Sequence, residues 1–491
     1  MKTIWTVLFG FLCLSSMGQK ETKVISLSEA IELAKSQSTD AMIVRNRFQA
    51  AYWQYRNFKA DLLPNIMLKG TFPSFNRTLS SYLKEDGSQT FISNNSLSEQ
   101  LSLSISQNIP LTGGRISLQS ELERVDQLDG EKKTTYMSIP ISISLNQPLI
   151  SSHPLKWDKR IEPERFKQAK QQFAVEMEKV AIQAINHYFN LLLALINVDI
   201  AQQNQEHSSK LVKIASSKKN MGLISDNELL QLKLNQLNAS SALIQTQQEY
   251  EQKMFALRNY LGYNEQIDIK PEIPAACPDI EISIERVMEI ANKNNPFRYD
   301  IVCRLLEAKQ QIAQAKAESG FQADIYATIG YTGSNTTFKR TYQNLQNREA
   351  VSLGISIPIL NWGKRKGKIE LARSREEITK NEVQQSRLNF EQNVITIVRQ
   401  YQEQRRLNEI VQLADTIAQQ RYKTAYETFV MGQISVLDIN AAQVERDNAK
   451  RNYIHQLSSS WTQFYTLRQL TLFDFELNKD IIYDEFKTLN F

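Results

Sequence analysis

Histidine, cysteine and acidic side chains are the groups of this 491-residue chain that could do chemistry. The four histidines are His153, His187, His207 and His455. They have no ligand spacing with one another or with cysteine, so we interpret each as a surface residue or a residue at a helix seam, not as a metal ligand. Glu176 and Glu178 lie among lysines in a helical pattern, where solvated ion pairs are the default. No GxGxxG, P-loop, nucleophile-elbow or CxxC motif occurs. The sequence therefore predicts no catalytic residue, no metal and no cofactor, and the chain is not expected to be an enzyme.

The N-terminus has the features of a secretory signal. Lys2 supplies a positive charge, Ile4 to Leu14 an apolar core, and Ser16 and Gly18 the small residues before a cleavage site. Residues 1–18 are therefore predicted to be a signal peptide, and a lipid anchor on Cys13 is the alternative. Removal of this segment leaves Cys277 and Cys303, which form either one bridge or two free thiols. Free thiols are expected, because two cysteines in a long exported chain are not a disulfide framework.

Charge and hydropathy narrow the range of partners. The net charge is +5 with both signs mixed along the chain, which argues against nucleic acid as a partner. After the signal, the longest apolar run is Phe189 to Val198, well short of the roughly 20 residues of a spanning helix. Entry into a membrane is therefore expected only through β-strands.

One short pattern occurs twice, each time between two long polar segments of helical composition. The copies are Met221-Gly222-Leu223-Ile224-Ser225 and Met431-Gly432-Gln433-Ile434-Ser435, offset by 210 residues (432 − 222). Glycine supplies a flexible turn and serine a helix N-cap, so both copies are predicted to be tips of helical hairpins.

Helical and strand periods alternate along the chain. The predicted helices are 26–61, about 164–219, 226–261, about 364–430 and 434–470. Between 65 and 147 the period is two, with serines alternating with Leu101, Leu103 and Ile105 and again with Ile139, Ile141, Ile143 and Leu145. A second strand region is predicted at 324–333 and 351–357. Such strands have one apolar face and one face of small polar groups.

These periods describe an internal duplication. The segment from Ser283 to Ala291 resembles that from Ser26 to Ala34 at an offset of 257 (283 − 26), whereas the hairpin tips are offset by 210. The predicted parts are a first repeat at 19–262, a linker at 263–282, a second repeat at 283–472 and a tail at 473–491. The difference of 47 residues (257 − 210) is the size of one strand hairpin. We therefore predict four strands in the first repeat and two in the second.

The strand period fits a soluble sandwich as well as a membrane barrel. The signal and the aromatic residues Tyr82, Phe91 and Tyr136 near strand ends favour the barrel. Six strands do not enclose a channel alone, but three copies would supply about 18.

The order of these parts resembles the TolC family of outer membrane efflux proteins over nearly all of the mature chain. The motifs that carry the resemblance are the joint Ile357-Pro358-Ile359-Leu360-Asn361-Trp362-Gly363 and the second tip, from Arg421-Tyr422 to Gly432-Gln433-Ile434-Ser435-Val436-Leu437-Asp438. The resemblance implies an α+β membrane protein, a TolC-like homotrimer with a β-barrel in the outer membrane that continues into a long α-helical coiled-coil tunnel in the periplasm. The extra hairpin of the first repeat departs from the family's 12 strands and predicts either a wider barrel or a hairpin packed outside it.

The resemblance also implies roles for residues at the tips. Adaptor contact is implied at Gly222, Leu223, Ile224, Ser225, Gly432, Gln433, Ile434 and Ser435. A simple turn, in which Gly and Ser are common, is the alternative. An acidic pair that narrows the tunnel is reduced here to Asp438, with Ser435 at the other position, and a carboxylate in a helix first turn is the alternative for Asp438.

The implied function is the outer membrane exit duct of a tripartite efflux or type I secretion system. Its implied partners are a periplasmic adaptor, an inner-membrane pump of the RND or ABC class, and outer membrane lipid. A periplasmic coiled-coil scaffold without a pore is the alternative, but it leaves the Ser/Ile strands unexplained.

Overall fold

The computed structural model describes residues 21–129, 132–151, 153–222, 224–263 and 267–483. The predicted signal peptide, Cys13 and the tip residue Leu223 lie outside these ranges. The described residues form two compact units: one contains 21–46, 171–295 and 391–483, and the other 47–170 and 296–390. We call the first the helical unit and the second the sheet unit.

The elements of the first half of the chain are β1 (Glu21–Ile25), α1 (Leu27–Gln37), α2 (Thr39–Asp61), β2 (Asn65–Leu83), β3 (Gln89–Asn108), β4 (Arg115–Gln127), β5 (Lys133–Ile150), α3 (Pro154–Asn220) and α4 (Asp226–Tyr260). Those of the second half are β6 (Ile267–Pro271), α5 (Ile284–Asn294), α6 (Phe297–Glu318), β7 (Gln322–Asn335), β8 (Gln346–Ser356), α7 (Lys364–Met431), α8 (Val436–Thr471), β9 (Phe473–Asp474) and β10 (Lys479–Asp480). A short 3-10 helix, Phe338–Tyr342, precedes β8.

The single helix predicted for 26–61 was wrong, because the chain breaks at Ser38. Ser38 is extended, at φ −64° and ψ 150°, and its hydroxyl accepts the Ala41 N–H at 3.1 Å, which caps α2. The second half breaks at Asn295, which is likewise extended and precedes Pro296. The two breaks are offset by 257 residues (295 − 38), the offset of the repeated opening helices.

The start predicted for the first long helix was also wrong, since α3 begins at Pro154 and continues through Pro163. Proline usually marks a helix start because it lacks an N–H group, and here the helix absorbs that loss. By length and composition α3 could cross a membrane, but 56% of its most apolar 18-residue stretch is buried within the protein. We had expected no helix long and apolar enough to span a membrane, and α3 is one. A helix buried in a protein core can have the same length and composition.

The predicted linker contains a strand. In the helical unit, β6 pairs in parallel with β1, from Glu21↔Ile267 to Ile25↔Pro271. The Tyr188 hydroxyl on α3 donates to Ile25 O at 3.0 Å and Glu272 O at 2.7 Å. This buried tyrosine joins the start of the first half of the chain to the start of the second.

The sheet unit contains one antiparallel sheet of six strands in the order β2-β3-β4-β5-β7-β8. Four strands come from the first half of the chain and two from the second. The β3–β4 turn is closed by hydrogen bonds from Gly113 N to Ile109 O at 2.8 Å and from Ile109 N to Gly114 O at 2.7 Å.

Candidate hairpin tips and membrane-facing sheet

The two repeated motifs form the tips of helical hairpins in the helical unit. Gly222 and Gly432 have φ values of +73° and +82°, a region that L side chains rarely adopt. Both turns therefore depend on glycine, which explains why glycine occupies the same position in both copies of the motif.

Both returning helices begin with a capping box. The Ser225 hydroxyl accepts the Glu228 N–H at 3.2 Å, and the Ser225 N–H donates to Glu228 Oε2 at 2.8 Å. The second tip repeats the arrangement with Ser435 and Asp438 at 3.3 and 3.0 Å. Hydrogen bonds from Ser435 hold the pKa of Asp438 below its usual range, as those from Ser225 do for Glu228. The Asp438 carboxylate is thus exposed, ionised and engaged in its own helix cap.

An apolar cluster from four helices supports the tips. Its buried members are Leu211, Ala215, Leu229, Leu232, Tyr422, Phe429, Val436, Ile439 and Ala442. Ile224 and Ile434 from the two turns pack against it. These two candidate docking residues therefore have a structural role, as do the two glycines and the two capping serines.

The exposed side chains of the tips are different residues. Gln433 is exposed, and so are Met221 and Met431 at 67% and 68%. Sequence reasoning named Gln433 but missed the methionines. Their signal was available, because a solvent-facing methionine at the start of each repeated motif is typical of an adaptable binding surface.

Polar contacts link the two hairpins next to the tips. Lys218 Nζ donates to Phe429 O at 3.0 Å and lies 5.1 Å from the centre of the Phe429 ring. Lys219 forms an ion pair with Asp226 across the first tip.

A buried polar network lies farther along the same helices and was not predicted. His207 Nδ1 is 2.7 Å from the Tyr422 hydroxyl, and the Arg446 guanidinium lies 4.2 Å from the centre of the Tyr422 ring. Arg446 pairs with Asp447 at 2.6 Å, and Asn204 bonds to both. Burial lowers the pKa of His207, and the nearby Arg446 charge lowers it further. His207 is therefore neutral at pH 7 and lies at a helix seam, as one of the two sequence interpretations held.

The interpretation of Glu178 as a solvated ion pair was wrong. Its side chain is completely buried, with Lys35 Nζ at 2.6 Å, Arg468 Nε at 3.2 Å and the Tyr483 hydroxyl at 2.7 Å. Burial raises the pKa of Glu178, but the Lys35 and Arg468 charges outweigh it, so the net shift is downward. Arg468 also pairs with Asp474, which balances the two cations with two carboxylates.

In the sheet unit, the strand registers collect the apolar positions on one face. One row crosses five strands through Ile66, Ile105, Leu118, Ile143 and Ile329, which are paired in that order. Residues directly opposite each other in antiparallel strands share a face, so this row is apolar across all five strands. Farther from the helices, the same face carries the ion-paired residues Glu99, Arg124 and Asp126. Ile66, Ile143 and Ile329 are exposed.

The opposite face carries the small polar side chains. Ser104, Gln119, Ser142 and Gly330 are paired in that order across four strands. The Thr328 hydroxyl lies 3.1 Å from that of Ser142 and 3.0 Å from that of Ser144. A register shift between Gln119 and Glu121 places Ile139 on this face, opposite Glu121, so its predicted place among the apolar positions was wrong.

The joint between β8 and α7 is an exposed apolar segment. Ile359, Leu360 and Trp362 are largely exposed, and Trp362 has a positive φ of 50°. An exposed tryptophan beside an apolar sheet face is typical of the boundary between lipid and water.

Possible metal-ligating groups and the cysteine thiols are the remaining candidate sites. No group of three His, Cys, Asp or Glu residues that could hold a metal occurs in the described part of the chain. Cys277 and Cys303 are free thiols, and burial raises their pKa values to about 12 and about 11. Neither thiol is therefore reactive at neutral pH.

Comparison with known proteins finds one matching family model, in the second half of the chain. Residues 302–471 match the family model described as outer membrane efflux protein. These 170 residues (471 − 302 + 1) of the chain are therefore similar to that family. The match covers α7, the second tip and α8, and no curated protein matches the sequence.

Solved structures extend the likeness to most of the chain. CusC is 15% identical with a TM-score of 0.61, covering 91% of each chain. The outer-membrane channel OprN is 13% identical with a TM-score of 0.65, covering 91% of this chain and 89% of its own. The CmeC outer membrane channel of Campylobacter jejuni is 15% identical with a TM-score of 0.63, covering 94% and 88%. At this identity the structures establish a common fold of the TolC type.

Proposed function

We infer that this protein is the exit channel through which an efflux system passes solutes across the outer membrane. The family match supports the inference, and the apolar face of the sheet carries it structurally. A face that presents Ile66, Ile143 and Ile329 to solvent is unfavourable in water and favourable in lipid. The opposite face, with Ser142 and Thr328, suits a watery lumen. A periplasmic scaffold without a pore would leave the apolar face uncovered.

We propose that three copies assemble around a common axis. Two helices of the helical unit carry exposed apolar residues at spacings of three and four. On α4 these are Leu230, Leu234 and Leu237; on α7 they are Ile410, Leu413 and Ile417. Such spacing is typical of a coiled-coil seam, and unlike seams on one chain fit a head-to-tail ring of copies.

The tips are proposed to dock a periplasmic adaptor that connects the channel to an inner-membrane pump of the RND or ABC class. Since the glycines, serines and isoleucines of the tips support the turns, contact is assigned to Gln433, Met221 and Met431. Asp438 keeps its proposed role at the tunnel constriction, as an ionised group fixed by Ser435.

The docking proposal is tested by placing a charge on each exposed methionine. Met221→Glu and Met431→Glu are expected to abolish adaptor cross-linking and restore sensitivity to toxic compounds, with normal amounts of trimer in the outer membrane. Met42→Glu, at an exposed methionine of α2, is the matched control and is expected to behave as wild type. Normal docking by both tip variants would exclude the assignment, whereas a protein recovered as a water-soluble monomer would exclude the channel itself.

A further inference from the structure

The additional strand pair of the first half lies within the sheet and not beside it. Strands β3 and β4 occupy the second and third places of the order β2-β3-β4-β5-β7-β8. Their pairing runs without interruption from Ser96↔Gln127 to Asn108↔Arg115. Because β3 and β4 lie between β2 and β5, β2 is connected to the rest of the sheet only through this pair. The pair is therefore part of the sheet and is not packed outside it.

Both edges of the sheet are exposed. All 19 residues of β2 are exposed, and β8 is exposed at every position but Gly354. Ile66 on β2 and Leu353 on β8 lie on the apolar face, exposed by 67% and 58%. Long apolar edges with free backbone groups favour pairing with another strand. Because an even number of antiparallel strands separates them, β2 and β8 run in opposite directions, so β8 of one copy fits antiparallel against β2 of the next.

We propose that β8 of each copy pairs with β2 of the neighbouring copy and that three copies close a barrel of 18 strands, six from each. The inference rests on the proposed trimeric channel and specifies its outer opening. Six strands are too few to close alone, since small barrels need about eight. The shortest strand of the six-stranded sheet, β8, has 11 residues, which suffices for a tilted strand to cross the hydrocarbon core.

The strands outnumber the helices that continue from them. Short connections join β2 to α2, β5 to α3, β7 to α6 and β8 to α7, whereas β3 and β4 are joined by the turn from Ile109 to Gly114. Each copy thus supplies six strands to the barrel, but only four of them are joined directly to helices. Barrel diameter grows roughly linearly with strand number, so 18 strands give a diameter about 1.5-fold that of a barrel with four strands per copy. The outer opening of an 18-strand barrel is therefore wider than that of a barrel with four strands per copy.

Deletion of the additional pair tests the strand count. Removing residues 89–132 joins the 84–88 loop to β5 and leaves four strands per copy. The full-length and shortened proteins, extracted from outer membranes in detergent, are both expected to be trimers by mass. Top views in electron microscopy are expected to show the barrel of the shortened trimer narrower by about one third. An unchanged barrel diameter would overturn the inference and leave the channel function intact.

A cysteine pair tests the edges without removing any residue. In a chain with Cys277 and Cys303 replaced by alanine, Ile66→Cys and Ile355→Cys lie one residue from the helix-side ends of β2 and β8. A short bifunctional thiol reagent is expected to link the copies covalently into a trimer. The control pair, Ile66→Cys with Leu118→Cys on the interior strand β4, is expected to give no link between copies. An unlinked trimer would overturn the strand pairing, whereas recovery of a monomer outside the membrane would overturn the channel.

Discussion

The Glu178 carboxylate is completely buried and is kept ionised by the charges that surround it. Lys35 and Arg468 contact it from α1 and α8, and Tyr483 donates to it from the tail. Burying a charge costs several kcal/mol unless it is paired and hydrogen-bonded. The cluster therefore contributes to stability as a set, and removing one member leaves the others with unbalanced charge.

Glu178→Gln is expected to lower the free energy of unfolding of the helical unit by roughly 3–5 kcal/mol, because two buried cations then face a single carboxylate. Denaturant unfolding followed by the circular dichroism of the helices measures the change. Glu176→Gln is the matched control; Glu176 accepts a hydrogen bond from Gln172 at 3.2 Å on a less buried face, and we expect a change within about 0.5 kcal/mol. Equal effects of the two substitutions would contradict the role of the cluster.

The same variant has a predictable pH dependence. The pKa of Glu178 is lower in the folded state than in the unfolded chain. Its stabilising contribution is therefore complete above the ordinary glutamate pKa of about 4.3 and is lost as the pH falls below it. The difference in stability between wild type and Glu178→Gln should be constant from neutral pH to about pH 5 and shrink in stronger acid. An undiminished difference in acid would show that Glu178 acts through packing and not through its charge.

At the scale of the element, the hairpin tips depend on two identical devices, a glycine of positive φ and a serine cap. Ser225→Ala and Ser435→Ala are each expected to destabilise the first turn of α4 or α8 by about 1 kcal/mol. Amide hydrogen exchange in those turns should accelerate about fivefold. Ser216→Ala is the control, because the Ser216 hydroxyl bonds to Val212 O within its own helix at 2.8 Å and caps nothing. Unchanged exchange in both tips would show that the caps are dispensable.

The sequence predicted these devices because they are local. A glycine followed three residues later by serine can be recognised in the sequence alone, and so can an alternation of serine with isoleucine. The buried position of Glu178 was not predicted, since it depends on Lys35, Arg468 and Tyr483, which are distant in the chain. The same reason applies to His207 and Arg446, which meet at Tyr422 from different helices. The break at Ser38 was missed because serine is compatible with a helix as well as with a cap.

At the scale of the whole molecule, two kinds of surface are exposed in the single chain, the helix seams and the strand edges. Both are proposed to contact a neighbouring copy. The seam of α7 presents Ile410, Leu413 and Ile417, and an apolar side chain of this size contributes about 1.5–3 kcal/mol when it is fully buried. Covering such seams in every copy supplies a driving force that a single chain in water lacks. In the proposed trimer, the same neighbouring copies would cover the helix seams and pair with the strand edges.

Whether strand pairing between copies depends on the seams is tested by Leu413→Asp. A carboxylate in the seam would have to be desolvated on assembly, so the trimer is expected to dissociate in detergent. Gln412→Asp adds the same charge at the preceding exposed position, outside the apolar stripe, and is expected to leave the trimer intact. Electrophoresis of unboiled membrane samples distinguishes the outcomes, because a closed barrel shifts on boiling and separate chains do not. Loss of the heat-dependent shift together with loss of the trimer would show that the barrel closes only between assembled copies. A heat-dependent shift in the dissociated variant would show instead that each copy closes its own sheet.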